Sequence, residues 1–216
     1  MTYPIIVKDI QQTTPGKRPL TVPTQALAEA IITEWTTHKK FKPDSMQLSA
    51  LAFTAIDRIA GQEASIVEAL LTYLDTDTLC YRASNAAVLE RQKKEWDPVL
   101  AWAGSKFNAL WQTTTGVMPL EQPKALHEAI SEYLSALDSM KLAALCILSS
   151  GYSSLALAIA VMEKHLTAEQ AFMLSRLEEE TQAEQWGRDE EADARALRMK
   201  GEINEAGRFL RLLEAE

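Results

Sequence analysis

Apolar positions along this chain form two regimes, a short β-branched opening and a long stretch at helical spacing. Ile5-Ile6-Val7 is a compact β-branched run, and Pro15-Gly16 marks a turn before Pro19-Leu20-Thr21-Val22-Pro23. Together they predict a small β-structure near the N-terminus. Thr24 is placed to cap a helix that carries Ala26, Leu27, Ala30, Ile31 and Ile32 and ends near Trp35. The basic stretch through Lys39, Lys40 and Lys42, closed by Pro43, breaks that pattern. A domain boundary is expected there, dividing the chain into residues 1–43 and 44–216.

Beyond Pro43 the signal is mostly helical. Leu48, Leu51, Ala52, Ala55, Ile56 and Ile59 recur every three or four residues and make one apolar face, and Ile66, Leu70 and Leu71 continue it in a second helix. Trp96-Asp97-Pro98 predicts a helix start, with Asp97 as the cap and Pro98 at the first helical position. Residues 111–117, with three threonines, read as a strand or an extended connector. Thr167 and Gln170 have capping-box spacing, and Gly187 ends or bends the helix that follows. A last, charged helix runs through Ala196, Leu197, Phe209 and Leu210. The predicted fold class is α+β, predominantly helical.

Residues 142–162 hold no charge over 21 positions, long enough to cross a bilayer. Ser149, Ser150, Gly151, Ser153 and Ser154 make the middle of that run polar, and it lacks an asymmetric Lys/Arg flank. A buried central helix or helix pair is therefore expected, with no membrane insertion. Composition agrees, since 47% of residues are apolar and 24% charged, ordinary for a globular chain.

Charge is unevenly placed. Of the formal net −8, residues 167–216 hold 13 acids against 7 bases, a net of −6. Such a tail repels phosphate, so nucleic acid is not expected as a partner. Within it Glu178, Glu179, Glu180, Glu184, Asp189, Glu190, Glu191 and Asp193 crowd a short segment, with Trp186 as an apolar side chain among them. Glu180 and Glu184 are four apart, where like charges on a helix repel. The segment reads either as a solvated helix face or as an acidic recognition surface.

Reaction chemistry is hard to assemble from the remaining residues. His38, His127 and His165 are far apart and read as surface or structural histidines. Eight glycines form no phosphate-cradling loop. Cys80 and Cys146, 66 residues apart, read as free thiols, and Cys80 has no catalytic frame around it. Asp75 and Asp77 alone are a weak cation site, better read as capping or loop carboxylates. No enzyme, metal or cofactor is expected. A metal-dependent enzyme using Asp75, Asp77 and the acidic helix, and a helical adaptor with some other client, are the competing readings.

Two segments carry a family resemblance. Residues 73–82, Tyr73-Leu74-Asp75-Thr76-Asp77-Thr78-Leu79-Cys80-Tyr81-Arg82, are one. Residues 175–187, Ser175-Arg176-Leu177-Glu178-Glu179-Glu180-Thr181-Gln182-Ala183-Glu184-Gln185-Trp186-Gly187, are the other. Supporting matches are Val22-Pro23-Thr24 leading to Ala28-Glu29-Ala30 and Trp35, Thr54-Ala55-Ile56-Asp57 within residues 51–58, and Glu95-Trp96-Asp97-Pro98 with Trp102. In this order they resemble the assembly chaperones that handle the alpha subunit of the ATP synthase catalytic head. The resemblance implies a small N-terminal α/β domain followed by a larger orthogonal helical bundle. It also implies a monomeric holding protein without ATP hydrolysis that shields the alpha subunit until it pairs with beta. Within the acidic motif it points to Glu178 as the functional position, accompanied by Glu180, Gln182, Glu184 and Trp186 as client-binding residues.

Departures from the family pattern lie at the start. Family members open with an extra strand-forming segment, whereas this chain begins Met1-Thr2-Tyr3. The Asp-Gly of the first hairpin appears as Lys8-Asp9, without the glycine a tight turn favours. Part of the N-terminal sheet is thus expected to be missing or remodelled. The absence of a visible presequence points to a bacterial cytoplasm, or to a mitochondrial matrix for a eukaryotic chain. Trp35 and Trp96 are expected to be architectural, the first closing a helix face and the second preceding the cap at Asp97.

Overall fold

The computed structural model describes residues 2–38, 40–116 and 118–215; Met1, Lys39, Val117 and Glu216, which fall within the segments predicted above, lie outside the described residues. Strand β1 (Tyr3–Pro4) pairs antiparallel with β4 (Thr21–Val22), and β2 (Ile6–Val7) pairs with β3 (Ile10–Gln11). Ile5, Leu20 and Val22 turn inward and are buried. The β2–β3 turn forms without glycine, because Lys8 and Asp9 both take left-handed backbone angles, at φ 52° and 62°. That conformation costs about 1–2 kcal/mol per residue for an ordinary side chain. A second turn is pinned from outside, where Asp57 accepts from Thr14 Oγ1 at 2.7 Å and from the Gly16 amide at 2.8 Å. A Cβ at Gly16 would lie 2.6 Å from the Asp57 carboxylate, so glycine is required for this approach.

Helix α1 (Gln25–Thr37) starts as expected on Thr24, whose hydroxyl accepts from Leu27 N and donates to Leu212 O at 2.6 Å. Glu34 near its end caps the next helix, α2 (Gln47–Thr54), accepting from the amides of Leu48 and Ser49, each at 2.9 Å. Trp35 is half-buried and donates to Ser49 Oγ, while its ring meets Phe53 edge-on. A π-helical turn, Ala55–Ile59, ends α2 and leads to α3 (Glu63–Leu71).

The chain then passes through the loop of Asp75 and Asp77 to β5 (Tyr81–Arg82), helix α4 (Ala86–Phe107) and β6 (Thr114–Thr115), which pairs parallel with β5. Helix α4 corrects the reading of Trp96-Asp97-Pro98 as a helix start. It is capped by Asn85 and runs on through Pro98. Trp96 is fully buried and donates to Leu174 O at 2.9 Å, and Val99, Leu100 and Ala103 are buried beside it. This packing keeps the segment helical despite the proline, and Asp97 pairs instead with Arg82 at 2.6 Å.

Helices α5 (Lys124–Ser135), α6 (Ser139–Tyr152), α7 (Leu155–Met162), α8 (Ala168–Ser175), α9 (Leu177–Trp186) and α10 (Glu190–Leu213) complete the bundle. The uncharged run forms a buried helix pair, α6 and α7, separated by Ser153 in the left-handed region and by the Ser154 cap. No helix among the described residues is long and apolar enough to cross a membrane. Every residue of α7 is buried. Helix α10 packs along α6, where Ile203 presses on Gly151 so closely that a Cβ there would lie 2.8 Å from it. The fold is α+β and predominantly helical, with α8 and α9 held at the surface between α4 and α10.

Candidate functional site

Helix α9 is built to stand on one face and display another. At 100° per residue, Leu177, Thr181 and Glu184 share a side. Leu177 is buried, and Arg91 of α4 donates to Thr181 Oγ1 at 3.1 Å and to Glu184 Oε2 at 3.2 Å. Gly187, at φ 94°, ends the helix. Beyond it Arg188 reaches back to Glu180 at 2.8 Å and forward to Asp193 at 3.2 Å, tying α9 to the first turn of α10. The mutual repulsion expected of Glu180 and Glu184 is thus relieved, because each has its own guanidinium.

Glu178, Gln182 and Trp186, spaced by four, drift along the opposite flank. Glu178 is half-buried and has no ion-pair partner among the described residues. Gln182 is exposed, and Trp186 is 78% exposed. The five residues singled out in the sequence therefore divide into two groups. Glu180 and Glu184 hold the helix in place, whereas Glu178, Gln182 and Trp186 face outward.

On the Glu180 side, α4, α8 and α9 enclose an open cleft of about 670 Å³. Pro98 and Val99 line one wall, Met173 and Leu174 a second, Leu177 and Glu180 the third. Met173 is 59% exposed. Sequence reading missed the cleft because its walls come from three helices whose lining residues lie up to 93 positions apart.

Other chemistry-bearing residues are engaged in the fold. Asp75 accepts from the Gln122 amide at 2.8 Å and lies 3.1 Å from His127 Nε2. Asp77 is fully buried and accepts from the amides of Leu79 and Ala156, joining its loop to the start of α7. His165 stacks on Trp102 at 4.4 Å. Both thiols are free; burial pushes Cys80 far above the usual thiol range and raises Cys146 as well. Among the described residues no three His, Cys, Asp or Glu side chains converge as a metal site.

Comparison with known proteins resolves the family. The crystal structure of Atp12 from Paracoccus denitrificans is 36% identical to this chain, covers 97% of it and 91% of its own length, and superposes with a TM-score of 0.93. The sequence pattern of the ATP12 chaperone protein matches residues 3–104. The chain belongs to the ATP12 chaperone family. A mutant form of the Paracoccus Atp12 matches equally, at 37% identity over 96% of this chain and 90% of that one, with a TM-score of 0.91. Among curated proteins, Schizosaccharomyces pombe "Protein atp12, mitochondrial" is 27% identical over 180 residues, 78% of this chain. The match spans 62% of that relative's length. The ATP12 pattern ends before α9, so the outward residues of that helix rest on the motif and on geometry.

Proposed function

We propose that this ATP12-family chain is an assembly chaperone that binds the unassembled alpha subunit of ATP synthase and keeps it soluble until it pairs with beta. It acts as a monomer, in a bacterial cytoplasm or a mitochondrial matrix, by binding and without a reaction centre. The observation that carries this reading is the outward flank of α9. A half-buried carboxylate, Glu178, without an ion-pair partner among the described residues stands one turn from Gln182 and two from the exposed Trp186. A carboxylate so placed costs the free protein little and can accept a charge-assisted hydrogen bond from a client. An exposed tryptophan beside it supplies the large apolar contact typical of interface anchors.

The test separates folding from binding. Glu178→Lys removes a carboxylate that supports no ion pair among the described residues, so stability should change by about 0.5 kcal/mol or less. Loss of a buried charge-assisted contact at a client interface costs about 2–5 kcal/mol, more than tenfold in affinity. Thermal melts and light scattering of aggregating alpha subunit, measured on one preparation, should show a wild-type melt with lost protection. A variant that unfolds, or that protects alpha normally, would overturn the assignment of Glu178.

A further inference from the structure

We propose that the cleft between α4, α8 and α9 is a second docking point for the client, taking a short apolar segment flanked by lysine or arginine. This rests on the reading of the chain as an alpha-subunit chaperone and names the chemistry that the chaperone grips.

Three observations converge on that occupant. Met173 stands 59% exposed at the mouth, above the largely buried Val99, Leu174 and Leu177. Exposed methionine over an apolar floor suits varied aliphatic side chains, because the thioether chain repacks at little cost. Pro98 lies inside α4 and has no amide hydrogen, so the carbonyl of Lys94 loses its helical donor. Lys94 and Pro98 both line the cleft, which places a backbone carbonyl without its usual helical donor at its wall. Glu95 adds an exposed carboxylate with no ion pair among the described residues, and Glu180, held on its far side by Arg188, lines the opposite wall.

The donors that line the cleft are mostly engaged. Arg91 is held by Glu184 and Thr181, and Arg176 lies 5.9 Å over the Phe172 ring. Lys94 alone of the lining cations has no ion pair or aromatic partner among the described residues, and its flexible, exposed chain is free to swing clear. The cleft therefore offers acceptors and apolar surface, with Lys94 its one cation left without a partner among the described residues. A ligand that fits must bring N–H or ammonium groups together with aliphatic carbon. The wider field agrees, since residues 177–194 contain eight acids against the single base Arg188. Such a field draws in basic segments and repels acidic ones.

The test uses the full chain and purified alpha subunit. Met173→Glu should weaken alpha binding at least tenfold, with a wild-type melting curve. Met173→Leu should bind within about twofold of wild type, as should Leu110→Glu, a control at a 71% exposed apolar residue outside this cleft. A photo-crosslinking side chain at position 173 should capture an alpha segment containing aliphatic residues and at least one lysine or arginine. Capture of an acidic segment, or wild-type binding by Met173→Glu, would overturn the cleft assignment. If Glu178→Lys still weakens binding in that case, the chaperone reading stands and only the cleft fails. If wild-type protein does not bind alpha at all, both fail.

Discussion

At residue scale the tryptophans and Asp77 show how much one side chain can hold. Trp96 is fully buried and bonded to α8 through Leu174 O, whereas Trp35 is half-buried and bonded only to its neighbour Ser49. Trp96→Ala should cost about 3–5 kcal/mol, and Trp35→Ala clearly less, in parallel denaturant titrations. Equal costs would contradict this ordering. Asp77 carries a different liability. Burial raises its carboxyl from 3.8 to about 6, although the amides of Ala156 and Leu79 and the Ser154 side chain pull in the opposite direction. The folded protein thus holds this proton more tightly than the unfolded chain does. The resulting contribution is fully present below pH 3.8 and is lost as pH rises through 6. Asp77→Asn cannot titrate there. Wild type should therefore gain on that variant as pH falls from 7 toward 4, by up to about 3 kcal/mol. A difference that stays flat with pH would refute the account. The variant keeps one acceptor oxygen but turns an NH2 toward the other of the two backbone amides, which should make it less stable throughout.

Single elements show where sequence pattern was legible. The Thr24 cap, the Thr167–Gln170 capping box, the stop at Gly187 and the α6–α7 pair could be read because each depends on residues within a turn or two. Helix α4 and the α9 carboxylates could not, because their arrangement depends on distant partners. Arg91 is 93 positions from Glu184, and Trp96 is 78 from Leu174. Local propensity reads Pro98 as a start; burial of the flanking residues overrides it. The α4 case yields a prediction. Pro98→Ala restores a donor for the Lys94 carbonyl and should raise stability by about 1–3 kcal/mol. If the cleft binds as proposed, the same change removes a free acceptor and lowers alpha affinity. Calorimetry and binding on the same sample should move in opposite directions, as stabilising changes at binding surfaces commonly do. A variant that melts at or below the wild-type temperature would show that α4 is already relaxed around its proline.

Across the whole molecule, the division into residues 1–43 and 44–216 is proposed as two domains, and the residues at their joint decide how independent they are. Glu34 belongs to the first part and caps the first helix of the second. Asp57 belongs to the second and holds the turn of Thr14 and Gly16 in the first. Thr24 donates to Leu212 near the end of α10, and Leu27 and Ile31 are buried in one apolar cluster with Leu48 and Leu210. Cutting at residue 43 would leave α2 without its carboxylate cap, worth about 0.5–2 kcal/mol. It would also open apolar surface, with each buried leucine or isoleucine contributing about 1.5–3 kcal/mol. Those losses approach the total stability of an ordinary domain, about 5–15 kcal/mol. The intact chain should therefore melt in one calorimetric transition, with equal calorimetric and van't Hoff enthalpies. Residues 44–216 produced alone should aggregate, or melt at least 10 °C lower, consistent with a loss of several kcal/mol. Two resolved transitions in the intact chain, or a fragment that melts like the whole, would show that the joint couples nothing. The α9 surface could then be studied in the helical part by itself.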